Sequence, residues 1–305
     1  MQCSLCNKEA VVFLKYNGSH LCDKHFVEFF QKRVNLEFRR ELKITKPVRI
    51  GVALSGGKDS SVALYETQRV FGKRKDVSIV ALTIDEGIKS YRPETIRAAS
   101  SLTKKLGIEH RILSIEENFG TTMDTISQGG RLAPCSYCGV FRRKLINKAG
   151  IDEEVDYMVT GLNLDDTAQS VMMNIVRGDL ARIARMGPHS ETKAGLVPRL
   201  QPLLKIAEKE VLLYAIIKGI DFSHSVCPYA GSAIRNEFRE SIDKWEERSP
   251  GTKYSIINSF EKIRDMMPVE IDVRMGKCKI CGSPTPGEIC QSCSFEQELG
   301  TWTKS

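Results

Sequence analysis

The stretch SGGKDS at residues 55–60 constrains this chain more than any other, because of what flanks it. It follows the apolar run VRIGVAL (48–54) and precedes SVALYE, whose pattern predicts a helix. Gly56 and Gly57 allow a turn and a close backbone approach that a Cβ would obstruct. The unpaired N–H groups of the next helix, its dipole, the Lys58 cation and the hydroxyls of Ser55, Ser60 and Ser61 then converge on one anion-binding point. The bland alternative is an ordinary strand-turn-helix corner, and few readings other than a phosphate site fit all of these residues.

The spacing is not the GxxxxGK[ST] of the Walker type, which usually serves cleavage between the β- and γ-phosphates. SGGKDS resembles instead the PP-loop of ATP pyrophosphatases. That resemblance implies cleavage of ATP between its α- and β-phosphates, adenylation of a substrate oxygen and release of pyrophosphate.

Around this loop the chain alternates strand-like and helical segments, with strands expected at 48–54, 77–84, 110–115 and 156–161. The βαβ rhythm predicts an α/β fold, a doubly wound parallel sheet covered on both faces, with ligands beyond the carboxyl ends of its strands. DEGIKSYR (85–92) and GLNLDD (161–166) follow the second and fourth strands and are placed to share a cleft with the loop. Helices are expected over 26–42, 203–225, 232–247 and 253–267. A length of 305 residues accommodates one such core with small appended modules. The expected domains are 1–30, 31–272 and 273–305.

No run of about 18 apolar residues occurs, and the chain begins MQCSLC instead of with a secretory pattern. The expectation is a cytoplasmic protein with no membrane association. A net charge of +7 and a pI near 8.8 suit an acidic partner such as RNA without demanding one.

Ten cysteines would suggest disulfides in a small secreted chain, but here they group at metal-ligand spacings. Cys3 and Cys6, with Cys22 and His25, form two x2-spaced pairs suited to tetrahedral zinc. His20 competes for the fourth position, and His25 is favoured because it repeats the spacing. Cys278, Cys281, Cys290 and Cys293 form a four-cysteine zinc ribbon around a turn-rich insert. Such modules staple small lobes that lack a large core, and they also offer surface to RNA.

Cys135, Cys138 and Cys227 remain. Three thiolates can hold three irons of a 4Fe-4S cluster and leave the fourth open to a non-protein ligand. A persulfide- or disulfide-forming CxxC pair, with Cys227 as bystander or resolving thiol, is a second reading, and a buried apolar trio is a third.

SGGKDS, DEGIKSYR, CSYCGVFRR, GLNLDD and MNIVRGDLAR, in this order, resemble the TtuA/NcsA family of tRNA uridine 2-thiolation enzymes over nearly the whole chain. Three of these segments look more like those of wobble-uridine enzymes than of T-loop enzymes. The resemblance implies ATP-dependent adenylation of the uridine C2 oxygen, then displacement of AMP by sulfur. It puts Ser55, Gly56, Gly57, Lys58, Asp59 and Ser60 on the phosphates, Asp166 near the α-phosphate or Mg²⁺, and Gly161 beneath the nucleotide. Asp85 joins the nucleotide site, and Asp165 is the lesser carboxylate of its pair. Lys58, Asp166 and Arg142 are the expected catalytic groups, Arg142 or Lys144 neutralising the adenylated intermediate. The resemblance assigns Cys135, Cys138 and Cys227 to a 4Fe-4S cluster. It also implies a free sulfide or ubiquitin-like carrier donor, and a homodimer or paralogous partner. Arg142, Arg143, Lys144, Lys148, Arg177, Arg182 and Arg185 could clamp tRNA phosphates, or simply decorate solvent faces. One departure stands out: Leu162 occupies the place of a histidine common before the paired aspartates, so no acid or base role is assigned there.

Overall fold

The computed structural model describes residues 1–184, 186–187, 195–232, 234–266 and 276–301. It opens with a short antiparallel hairpin, β1 (Val12–Leu14) and β2 (Ser19–Leu21), which leads into α1 (Asp23–Glu41). The core alternates β3 (Val48–Ala53), α2 (Lys58–Phe71), β4 (Val77–Asp85), α3 (Arg92–Leu106) and β5 (Glu109–Ser114). Three helices follow, α4 (Ile115–Phe119), α5 (Met123–Gly129) and the long α6 (Pro134–Asp152). Then come β6 (Tyr157–Val159), α7 (Leu164–Val176), α8 (Leu180–Ala184), β7 (Arg199–Leu200) and α9 (Glu208–Lys218). The chain closes with α10 (Arg235–Arg248), α11 (Thr252–Met266), a second hairpin of β8 (Gly276–Lys277) and β9 (Pro284–Thr285), and α12 (Gln291–Leu299).

The central sheet runs β5-β4-β3-β6-β7 and every pairing is parallel. Strands progress outward from β3 to β5, then the chain returns to place β6 on the other side of β3. The switch point therefore lies beside the carboxyl end of β3, where this architecture opens a ligand crevice. Alternation along the strands explains why the sheet is covered twice. Ile50, Val52 and Ala81 join Phe26, Phe30, Val34, Leu64 and Tyr214 on one face, whereas Val80 and Leu82 join Ala149, Val155 and Met158 on the other.

The four expected strands are present, with ends shifted by a few residues. The helix expected over 203–225 is only α9. Gly219 ends it in the left-handed conformation at φ 57°, and Ile220 stays buried in the segment beyond without helical structure. The last residue of the helix expected over 253–267 lies outside the described residues. A division at residue 30 is also corrected. Helix α1 crosses it without interruption, and Phe26 and Phe30 pack in the main core. The boundary expected at 272 lies outside the described residues. No helix among the described residues is long and apolar enough to cross a membrane.

The C-terminal ribbon is fastened to the core through α12. Phe295 packs on Tyr137 and Phe141 of α6, with ring centroids 4.5 and 6.3 Å away. The buried Tyr137 hydroxyl donates to Glu298 Oε1 at 2.5 Å, and Lys144 pairs with Glu296 at 3.2 Å. Tyr137 stands between Cys135 and Cys138, so the ribbon grips the helix that carries those thiols.

Candidate functional site

The loop at 55–60 joins β3 to α2, with Gly57 as the N-cap residue. Gly56 adopts φ +85°, and an added Cβ would lie 2.0 Å from the Thr95 carbonyl oxygen, so both conformation and space require glycine. The loop is wound on itself: Ser55 N–H donates to Ser60 Oγ at 3.1 Å, and Ser60 Oγ donates to the Gly57 carbonyl at 3.0 Å. Ser55 and Ser60 hydroxyls lie 3.0 Å apart at the mouth. Ser61, expected to offer a third hydroxyl, is fully buried and faces the interior.

Lys58 Nζ lies 2.6 Å from Glu208 and 3.0 Å from Asp59. Burial alone would lower this lysine, but the two carboxylates outweigh it and hold Lys58 above the ordinary range. Asp59 also accepts from Asn163 Nδ2 at 3.0 Å. Asn163 caps α7 in a reciprocal box with Asp166: its side chain accepts from Asp166 N–H at 3.0 Å, and Asp166 Oδ2 accepts from Asn163 N–H at 3.4 Å. The Asp166 carboxyl is raised to about 6, by loss of water and then by the charge of Asp59, against the nearby Arg235.

Residues 55–60, Gly161 and the Asn163–Asp166 cap thus gather at the switch point. Gly161 packs on the start of α2, where an added Cβ would lie 2.7 Å from Ser60 N. Asp85 holds a turn by accepting from Gly87 N–H at 2.9 Å. Asp165 is committed inward, paired with Lys253 and accepting from Glu208 N–H at 2.8 Å.

At the far side of the crevice, Cys138 and Cys227 pack against one apolar cluster, and Cys135 Sγ lies 3.4 Å from the Tyr229 carbonyl oxygen. Burial pushes the Cys138 thiol up to about 11 and raises Cys227, while the Arg142 charge opposes the shift at Cys138. Cys135 is exposed. This donor set suits a thiolate-ligated cluster with one open position. Arg142 lies 3.7 Å from Glu86, a buried carboxylate that Arg92 contacts at 2.7 Å.

The terminal cysteines form two quartets whose ligand atoms lie within 4.8 Å of one another: Cys3, Cys6, Cys22, His25 and Cys278, Cys281, Cys290, Cys293. His25 Nδ1 is 3.3 Å from Cys3 Sγ and 3.4 Å from Cys22 Sγ. His20 instead stacks on Phe13 with centroids 4.3 Å apart. Either quartet could hold one tetrahedral ion.

Of the basic residues, Lys144 pairs with Glu296 of the ribbon at 3.2 Å and Lys148 with Asp152 at 2.6 Å. Arg185 lies outside the described residues. Arg143 is lowered, by burial and then by the charges of Arg199, Arg142 and Arg182. The sequence reading missed Arg199, Glu208, Glu86 and Arg92. DEGIKSYR contains two of them, but nothing in the spacing says that they pair.

A parallel sheet with a glycine-serine-lysine turn at its switch point defines a PP-loop nucleotide-binding protein, and the PP-loop domain model matches residues 28–245. Residues 2–27 match the N-terminal LIM domain of 2-thiouridine synthetase TtuA. The chain is similar to the tRNA 2-thiolation protein NcsA of Haloferax volcanii, at 36% identity covering 98% of this chain and 99% of that protein. It is also 33% identical to the tRNA-5-methyluridine(54) 2-sulfurtransferase of Pyrococcus horikoshii, covering 97% of this chain and 93% of that one. The structure of the U34-tRNA thiolase NcsA from Methanococcus maripaludis with its [4Fe-4S] cluster superposes with a TM-score of 0.88 at 35% identity, covering 100% of this chain and 98% of that chain. The chain belongs to the TtuA/NcsA-type PP-loop tRNA thiolation family.

Proposed function

We propose that this protein is an ATP-dependent tRNA uridine 2-sulfurtransferase that acts at wobble uridine 34. The observation that carries the reading is the line of contacts from Ser55 of the phosphate loop through Arg92 and Glu86 to Arg142, one helical turn beyond Cys138. The uridine C2 oxygen attacks the α-phosphorus of ATP and pyrophosphate leaves. Sulfur then attacks C2, and AMP carries the oxygen away.

Helix α2 and the loop hydroxyls of Ser55 and Ser60 hold the pyrophosphate, with Lys58 released from Glu208 as phosphate takes its place. Asp166, with Asp59 beside it, faces the α-phosphate or its Mg²⁺. Arg142 offsets charge on the adenylated base. Cys135, Cys138 and Cys227 would hold the 4Fe-4S cluster, which when bound supplies an iron with an open position for sulfide. The two terminal quartets hold zinc.

Arg143, with the charges of Arg182 and Arg199 acting on it, offers a basic surface for tRNA phosphates. An anticodon base is cheaply unstacked into such a crevice. Likeness to the U34 thiolase supports position 34, while the relative acting at 54 makes the T-loop the competing target. Sulfur arrives as free sulfide or from a ubiquitin-like carrier, in a cytoplasmic homodimer or with a paralogous partner.

The test is anaerobic reconstitution with iron and sulfide, incubation with ATP and unmodified tRNA, and mass spectrometry of nucleosides after site-specific cleavage. Sulfur at position 34 with stoichiometric AMP is expected. Sulfur at position 54 alone would reassign the target. An intact cluster with ATP and no sulfur gain would overturn the reading.

A further inference from the structure

Glu86 is the first residue after β4 and only 4% exposed, and it shares its interior position with Arg92 at 2%. A buried carboxylate needs partners for two oxygens. Oε2 contacts Arg92 Nε at 2.7 Å, and Oε1 lies 3.7 Å from Arg142 Nη1. Arg92 is anchored in turn, donating to the Ser55 carbonyl at 3.0 Å, to Thr95 Oγ1 at 2.9 Å and to the Ile84 carbonyl at 2.5 Å. Ion-pair contacts through Arg92 and Glu86 therefore connect the first residue of the phosphate loop to Arg142.

Arg142 is held less closely than Arg92, by an ion pair with Glu86 at 3.7 Å. Its side chain is 54% exposed, and it follows Cys138 by four residues on α6, a spacing that sets both on one helix face. A long arginine at such a position samples many rotamers unless a partner selects one. Glu86 is the carboxylate that lies against it.

We infer that Glu86 is a positioning residue that aims the Arg142 guanidinium at the thiol-bearing face of the crevice and locks that aim to the phosphate loop through Arg92. The inference rests on the role given to Arg142 above. Two halves of one reaction, oxygen activation and sulfur delivery, then keep a common frame. A misplacement of about 1 Å costs roughly a hundredfold in rate at such sites.

The experiment compares Glu86→Gln, Arg142→Gln and the double variant in the cluster-loaded enzyme. Each single variant should lower kcat for tRNA thiolation by about tenfold to hundredfold, with KM for ATP unchanged within about threefold. The double variant should be no slower than Arg142→Gln alone, because Glu86 acts only through Arg142. A readout independent of activity is the ¹⁵N spectrum of arginine-labelled protein, with the Arg142 Nε–H signal assigned by its loss in Arg142→Gln. That signal should shift in Glu86→Gln, as the carboxylate charge facing the guanidinium is lost, toward the position of the solvent-exposed arginines. Multiplying losses in the double variant, or an unmoved signal, overturns the inference. If Arg142→Gln thiolates normally, the functional role of Arg142 fails, and the spectrum alone decides whether Glu86 positions it. Should Glu86→Gln not fold, Glu86→Asp keeps a charge beside Arg92 while shortening the reach to Arg142, and the same readouts decide.

Discussion

Asp166→Asn should stabilise the nucleotide-free protein while abolishing thiolation. The carboxyl is raised from 3.8 to about 6, chiefly because water is removed from it and then because Asp59 lies near. A raised carboxyl binds a proton more readily in the folded than in the unfolded chain, so it penalises folding wherever both forms are ionised. The penalty is fully present above about pH 6 and fades as pH falls toward 3.8. Taken whole, such a shift corresponds to roughly 3 kcal/mol. The side chain is 29% exposed and has Arg235 at 3.8 Å, so about 1–2 kcal/mol is the reasonable expectation after screening. Asparagine keeps the shape and an oxygen for the capping box, and sheds the charge. Urea denaturation at pH 7.5 and pH 5 measures this. The variant should be more stable by about 1–2 kcal/mol at the higher pH and by about half that at the lower. Equal or lower stability at pH 7.5 would refute the claim that Asp166 is held charged against its surroundings.

Gly56→Ala combines a positive φ with an intrusion on the Thr95 carbonyl, so it should cost about 3 kcal/mol or more and abolish ATP binding, read by denaturation and calorimetry. Gly161→Ala meets only the backbone of Asp59 and Ser60. A loss of about 1–3 kcal/mol with weakened ATP binding is expected, and unchanged binding would argue against the close fit of the two loops. Tyr137→Phe removes the bond to Glu298 and should cost about 1–3 kcal/mol, with reduced iron retention in reconstituted protein. His25→Ala should lose one of two zinc equivalents by metal analysis, whereas His20→Ala keeps both.

What could be read from the sequence was what is written in short stretches. The SGGKDS turn, the alternation of strands and the two quartets each depend on residues a few positions apart, or on pairs repeating one spacing. What escaped reading depends on pairs formed across the fold. Lys58 and Glu208 are 150 positions apart, and only the return of the chain to β6 and α9 brings them within 2.6 Å. Arg199 stands on a two-residue strand that gives no periodic signal. The pairing of Lys144 with Glu296 was equally illegible, because nothing around it in α6 indicates which face the ribbon will cover. The segment after Gly219 looked helical because Ile220 and Phe222 are apolar, yet burial of such residues needs no helix when a neighbouring surface receives them.

The docking of α12 on α6 also has a temporal meaning. Phe295 completes the apolar cluster beneath Tyr137 and Phe141, and Glu298 takes the Tyr137 hydroxyl. During synthesis the thiols of Cys135 and Cys138 emerge more than 150 residues ahead of these partners. The helix that presents them has its finished support only once α12 has docked. The support of that helix is therefore drawn from the far end of the chain, and truncation before α12 would leave Tyr137 and Phe141 without Phe295.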